Sequence, residues 1–244
     1  MLEPLEQLLF EILKALGEWL GDYGWAIIAL TIGIRVLLLP LTYKQTKSMY
    51  EMQRIQPKIK ELQEKHKGDK QKLQEETLKF YQENKVNPFG GCLPLLLQMP
   101  IFFALFRMLG TTGQGPGLFP TYIASLPEAE QVRAQAFMIL DKWTIIPDIT
   151  MSAKTMYALE GLVGAIPYVI FVVLFGLSIV IPQLMQPGQQ AQQKQIGIAM
   201  GAMMLFFGWS VSAGVVLYWV TSSALGVLQQ IVQTRMYKRR EEGA

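Results

Sequence analysis

From Gly161 to Gln183 the chain runs through GLVGAIPYVIFVVLFGLSIVIPQ, 23 residues without one charged side chain. A soluble helix of that length keeps a polar face, and this run has none; about 18 or more consecutive apolar residues read as a membrane-spanning helix. Comparable runs lie at 24–43, 88–110, 194–209 and 213–233, beside the one at 160–183. The fourth in chain order, 194–209, is short. It carries Gly197, Gly201 and Gly208 with Met200, Met203 and Met204, a composition suited to close helix packing or a flexible lining. With 51% hydrophobic and 17% charged residues, the chain reads as an all-α integral membrane protein with five transmembrane helices.

The charges between the runs give the expected topology. The segment 44–87 holds Arg54 with Lys44, Lys47, Lys58, Lys60, Lys65, Lys67, Lys70, Lys72, Lys79 and Lys85, half of the 22 basic residues. Arg235, Lys238, Arg239 and Arg240 follow the last run, in the short tail 234–244. By the positive-inside rule both segments face the cytoplasm, and the N-terminus and the loop 111–159, poor in basic residues, face outside. The connection 184–193 then lies on the cytoplasmic side. Residues 1–23 have Leu2, Leu5, Leu9, Ile12, Leu13, Leu16 and Leu20 at helical spacing and no basic stretch of the secretory kind, so an amphipathic helix on the outer membrane surface is expected. Within 44–87, Met52, Ile55, Ile59 and Leu62 form one apolar stripe and Leu73, Thr77 and Phe80 a second, separated by Lys67-Gly68-Asp69. That pattern predicts an antiparallel helical hairpin in the cytoplasm.

The second run opens with Asn87 as a candidate N-cap and Pro88 as the first helical residue. Pro94 follows near the first full turn. Pro100 falls inside the helix, where it removes a hydrogen bond and predicts a bend beside Gln98.

Several chemistries find no residues to support them. No P-loop, HExxH or GxSxG occurs, Cys92 is the single cysteine, and the single histidine, His66, lies in the polar hairpin. Neither a catalytic centre, a cofactor site nor a metal site is expected, so the chain reads as no enzyme. A net charge of +3 gives no reason to expect specific nucleic-acid binding.

Polar groups do remain at membrane depth: Thr31, Arg35, Gln98, Ser178, Gln183, Tyr218, Trp219, Thr221, Ser222 and Ser223. Arg35, in ALTIGIRVLLLPLT, is the anomaly. It lies nine residues before Lys44, about 13 Å along a helix rising about 1.5 Å per residue, and an arginine at the bilayer centre costs from about 2.5 to more than 10 kcal/mol. Thr31, four residues earlier, shares its face. No acidic residue in any run can pair with it, so a water-filled cavity is the economical way to keep it charged. The plainer alternatives are snorkelling to the cytoplasmic interface and capping carbonyls freed near Pro40 or Pro100. Arg107, at the outer end of its run, needs only snorkelling.

Four stretches in order, TIGIRVLLLPLT, QPKIKELQEKHKGDKQKLQEE, NPFGGCLPLLLQMPIFFALFRML and GVVLYWVTS with LQQ, resemble the YidC family of membrane-protein insertases. The resemblance implies a five-helix core with a cytoplasmic hairpin and an outer amphipathic helix, in the bacterial inner membrane, with the N-terminus outside and the C-terminus in the cytoplasm. It also implies a hydrophilic groove closed to the outside, with an arginine at the position of Arg35. Thr31, Tyr218 and Trp219 match residues near or lining that groove, and Gln98 and Gln183 match further family positions. With Ser178, a polar group at the same depth, these form the candidate substrate groove. Departures are the missing proline in the fourth run, GIAMGAMMLFFGWSVSAG in place of a Phe-Pro-Ser-Gly turn, Ser223 where asparagine is usual, and a short tail. The large periplasmic domain of some relatives is also missing.

The expected function is insertion of nascent polypeptides into the bilayer without ATP hydrolysis, with Arg35 attracting acidic residues of the substrate. The implied partners are nascent membrane proteins and the lipid bilayer, with the Sec translocon, the ribosome and the signal-recognition machinery as further candidates. The competing readings are a small anion channel or transporter, in which Arg35 selects anions, and a purely structural chaperone docked to the translocon. Ion conductance without a substrate protein favours the channel, and failure of the purified protein to insert anything favours the chaperone.

Overall fold

A computed structural model describes residues 2–66, 68–84, 93–112, 115–139, 143–185 and 191–242. The side chains of some helical positions, Lys44 and Gln183 among them, are not described. The chain is mostly helical. Among the described residues, three helices carry stretches long and apolar enough to cross a membrane: Tyr23–Tyr43, Ala153–Pro182 and Ala213–Tyr237. Shorter apolar stretches are Gln98–Leu109 and Gln195–Ser210.

Helix α1 spans Glu3–Leu20, with Pro4 in its first turn, and stops at Gly21, whose φ of 73° is the left-handed value glycine adopts without strain. Asp22 then starts α2, Tyr23–Lys65, by accepting the Trp25 N–H at 3.0 Å. The reversal is tight because Gly17 lacks a side chain: a Cβ there would lie 2.1 Å from the Tyr23 ring. At 43 residues α2 is about 65 Å long, roughly twice the hydrocarbon thickness, so its polar second half extends beyond any bilayer its first half crosses. Helix α3, Lys70–Glu83, is capped by Asp69 and folds back on that polar half, with Met52, Ile55, Ile59, Phe80 and Tyr81 packed together.

Helix α4 is Leu93–Leu109, with Pro100 inside it. The expected start of this helix at Asn87 and Pro88 lies outside the described residues. The segment after it holds structure too short for sequence periodicity to register: a small hairpin, β1 Thr111–Thr112 with β2 Gly115–Pro116, then α5 Leu118–Ser125, α6 Glu128–Gln135, and a second hairpin, β3 Phe137–Ile139 with β4 Trp143–Ile146. Three long helices complete the chain: α7 Ala153–Met185, interrupted at Gly161 (φ 71°, ψ −160°), α8 Ala191–Ser210 and α9 Ala213–Glu242.

Partner positions reveal the helix directions. Arg35 meets Ser222, Thr42 meets Gln229 and Tyr50 stacks on Tyr237, each pair 187 positions apart, so α2 and α9 run parallel in constant register. Ser178 with Ser223 and Phe175 with Trp219 make α7 parallel to α9 as well. Gln98 with Tyr218 and Leu109 with Ser212 set α4 antiparallel to α9, and Val180 against Gly201 with Phe175 against Gly208 set α8 antiparallel to α7. Successive long apolar helices therefore alternate in direction.

Helix α8 packs on α7 through glycines. A Cβ on Gly201 would lie 2.2 Å from Val180 Cγ2, and one on Gly208 2.8 Å from Phe175. Gly201→Val is expected to force this seam apart at a cost of about 1–3 kcal/mol, typical of overpacking, read as a lower unfolding midpoint in detergent, whereas Ala202→Val, on an exposed position, leaves the midpoint unchanged.

Most of the apolar core gathers at one end of this bundle. It combines Leu9 and Leu13 of α1, Tyr23, Ile27 and Leu30 of α2, Leu105 and Met108 of α4, Tyr168, Val172 and Phe175 of α7, and Val215 to Tyr218 of α9, with Phe119, Ile123, Phe137, Ile146 and Ile149 from the segment between α4 and α7. That segment caps this end. Carbonyls of Met151 and Ile149 accept the first N–H groups of α9, from Ala213 at 2.8 Å and Gly214 at 2.7 Å, donors a helix start cannot satisfy by itself. Ser212 Oγ donates to the Leu109 carbonyl at the end of α4, and the Tyr168 hydroxyl bridges the backbone carbonyl (2.8 Å) and N–H (2.9 Å) of Asp148.

Candidate functional site

The core stops abruptly. Along α2 the last residue in it is Leu30, with Thr31 buried beside it; among the described side chains from Ile32 to Arg54 none is buried. Among the described side chains, none along α7 is buried beyond Gly176, and along α9 polar Ser222 and Gln233 are the buried positions beyond Tyr218. Arg35 sits one turn past this border.

The guanidinium of Arg35 lies on α9. Nε donates to Ser222 Oγ at 3.1 Å, and Nη2 donates to the same Oγ at 2.8 Å and to the Ser222 carbonyl at 2.6 Å. Gly226, one turn further along α9, supplies the room: a Cβ there would stand 3.3 Å from both Nη1 and Nη2. Among the described residues no carboxylate is ion-paired with Arg35. Ser222, Gly226 and Gln229 share the α9 face that meets α2, and Gln229 Nε2 donates to Thr42 Oγ1 seven residues beyond Arg35.

Gln98 of α4 joins from another side, its amide donating to the hydroxyl of Tyr218, which is 2% exposed. Tyr218 and Ser222 are one turn apart on α9, so Arg35, Ser222, Tyr218 and Gln98 form one polar layer under the core. Trp219 stands edge-on between Phe102 of α4 (centroids 4.9 Å apart) and Phe175 of α7 (5.5 Å). Ser178 is drawn in at the α7–α9 contact: its carbonyl accepts the Ser223 hydroxyl at 2.7 Å, while its own hydroxyl turns back to Phe175 O. Thr31 belongs to the core side of the border. It is 1% exposed, and its hydroxyl donates at 2.6 Å to Ile27 O of its own helix, the usual way a threonine satisfies itself inside an apolar helix. The Gln183 side chain lies outside the described residues.

Two residues against the guanidinium, Ser222 and Gly226, are not among the site residues expected from the sequence. Ser222 was visible only as one of several hydroxyls at membrane depth, and Gly226 gave no chemical signal. Their spacing of four, a small hydroxyl and a glycine on one helix face, is the available clue once α9 is known to lie along α2. Arg107 also has a partner: its Nε stands 3.1 Å from Glu6 Oε1, a buried carboxylate brought by α1. Among the described residues no group of three His, Cys, Asp or Glu side chains is placed to hold a metal ion.

Residues 15–241 match the family described as the 60Kd inner membrane protein. The chain is 35% identical over 226 residues to a protein of Fusobacterium nucleatum named membrane protein insertase YidC, covering 93% of each. It is 34% identical over 234 residues to a protein of the same name from Helicobacter pylori, covering 95% of this chain and 36% of that protein, so it spans about a third of the longer relative. Among solved structures, an active YidC insertase with its first transmembrane domain resolved superposes with a TM-score of 0.63 at 27% identity, over 93% of this chain and 44% of that one.

Proposed function

The chain belongs to the 60Kd inner membrane protein family, and from that premise we propose that it is a membrane-protein insertase, carrying nascent hydrophobic polypeptides from the cytoplasm into the lipid bilayer. It crosses the bacterial inner membrane five times through α2, α4, α7, α8 and α9. The N-terminus is outside and the C-terminus inside, α1 rests on the outer surface, and the α2–α3 hairpin stands in the cytoplasm. Supporting this are the alternating helix directions, the polar extension of α2 and the basic residues of 44–87.

The observation that carries the reading is the one-sided core with Arg35 at its border. A bundle packed and capped at its outer end and poor in buried apolar side chains at the other admits water and a polar polypeptide segment from the cytoplasm alone. Arg35 attracts acidic residues of that segment; the attraction is stronger there than in bulk water, and desolvation offsets much of it. Transfer of the substrate's apolar segment into lipid then supplies the driving force, so no ATP is hydrolysed. The residues with a role are Arg35 as the attracting charge, Gln98, Tyr218, Ser178 and Gln183 as polar lining, Trp219 as an aromatic wall and Thr31 as the floor. The hairpin receives the substrate, with the translocon, ribosome and signal-recognition machinery as candidate upstream partners.

Liposomes containing only the purified protein are expected to insert a short single-spanning polypeptide in the absence of nucleotide and to conduct no ions at rest. Failure to insert, or steady anion conductance without substrate, contradicts the proposal.

A further inference from the structure

Resting on the reading of Arg35 as the attracting charge, we propose that Ser222 determines how that charge meets an acidic segment: its hydroxyl occupies the side-on fork of the guanidinium, so a carboxylate is attracted by charge but not clamped. A guanidinium has five N–H donors, and a carboxylate that grips it from the side uses Nε and Nη2 together, one oxygen to each. Both donors converge here on the single Oγ of Ser222, at 3.1 and 2.8 Å, while the Ser222 carbonyl takes the Nη2 group as well at 2.6 Å. Ser222 Oγ therefore stands where a clamped carboxylate would stand.

The arrangement is held from both ends. Ser222 is 6% exposed, which shields its hydroxyl from competing water. The missing side chain at Gly226 lets the guanidinium lie flat against α9, since a Cβ would stand 3.3 Å from Nη1 and Nη2. Among the described residues, Nη1 is the guanidinium nitrogen with no protein acceptor. A passing carboxylate meets Nη1 and a positive charge, without the two-point geometry that separates arginine from lysine. An insertase must release its substrate, and a bidentate pair at membrane depth would slow that release.

The test uses full-length protein in liposomes and two probes: a single-spanning polypeptide whose translocated tail carries two aspartates, and its twin with asparagines. The lifetime of the insertase–polypeptide complex is read by site-specific photocrosslinking. Ser222→Ala frees the fork and is expected to lengthen the lifetime with the aspartate tail about tenfold, the low end of the scale for one added charge-assisted hydrogen bond, and to leave the asparagine tail as in wild type. Ser222→Thr, which keeps the hydroxyl, restores the wild-type ratio. Gly226→Ala, which crowds the guanidinium off the same surface, lengthens the aspartate complex by less. Adding Arg35→Lys to Ser222→Ala removes the gain, because an ammonium has no fork. The inference is overturned if neither variant changes the aspartate-to-asparagine ratio, or if both tails are retained equally. An Arg35→Ala protein that handles the aspartate tail like wild type instead overturns the underlying reading, and this inference with it.

Discussion

Arg35→Ala is expected to slow insertion of a polypeptide with an acidic translocated tail about tenfold, and Arg35→Glu about a hundredfold, while a neutral tail of equal length inserts near the wild-type rate. The size follows from the border position of the guanidinium. At about 4 Å and an effective dielectric of about 20, opposite charges attract by about 4 kcal/mol; desolvation of the arriving carboxylate cancels more than half, and each 1.4 kcal/mol left is about tenfold in rate or affinity. Removing the charge deletes that remainder, and reversing it adds a repulsion of similar size. Arg35→Lys should keep most of the rate, because the Nε and Nη2 donors that distinguish arginine are engaged by Ser222. Initial rates in liposomes with Asp- and Asn-tailed substrates measure all three variants. Equal rates for Arg35→Glu and wild type on the acidic tail would remove the electrostatic step and leave the family assignment intact.

Asp22→Ala is expected to cost about 2–4 kcal/mol of stability and to loosen the cap over the core. One carboxylate oxygen accepts the Trp25 N–H at the start of α2; the other accepts the Met138 N–H of β3 at 2.8 Å. The residue is 3% exposed. Loss of an N-cap costs about 1 kcal/mol, and leaving a buried N–H without an acceptor costs about 1–3 kcal/mol. The indole of Trp25 donates to the Met138 carbonyl at 2.9 Å, so this single residue of β3 is tied to α2 twice, and removal of Asp22 leaves the tie that is exposed. Hydrogen exchange at the Met138 amide should rise before that of the α9 interior, and the unfolding midpoint should fall. Asp22→Asn, which retains one oxygen acceptor for the cap, should lose about half as much. An unchanged midpoint and unchanged exchange at Met138 would mean that the cap is held by other contacts.

Much of the fold was legible because the bilayer admits so few solutions. A run such as 162–183 has to be helical once no water is available to its backbone, and it forms the part of α7 beyond the break at Gly161. The capping segment was not legible. Its helices have eight residues and its strands two to four, lengths at which propensity decides little, and it is held by distant partners such as Asp22, Tyr168 and the first turn of α9. The site divides the same way. Arg35 announces itself as a charge in an apolar run, and Gln98 and Tyr218 as polar atoms needing partners at depth. The assignment of Ser222 as the partner of Arg35 depends on the constant offset between α2 and α9, which becomes visible only when contacts at Thr42, Gln229, Tyr50 and Tyr237 are set side by side. Thr31 shows the limit of face-sharing: four residues from Arg35 on one helix, it lies on the packed side of a border that falls between them.

On the proposed reading, water reaches the border beside Arg35 from the cytoplasm and is sealed off from the outside. In a Cys92→Ser background, single cysteines at Gln98, Ser223 and Leu105 can be exposed to a membrane-impermeant thiol reagent from one side at a time. Gln98→Cys and Ser223→Cys are expected to react only from the cytoplasmic side, and Leu105→Cys, in the core, from neither. Reaction of Gln98→Cys from both sides, or protection of Gln98→Cys and Ser223→Cys from both, would contradict that reading.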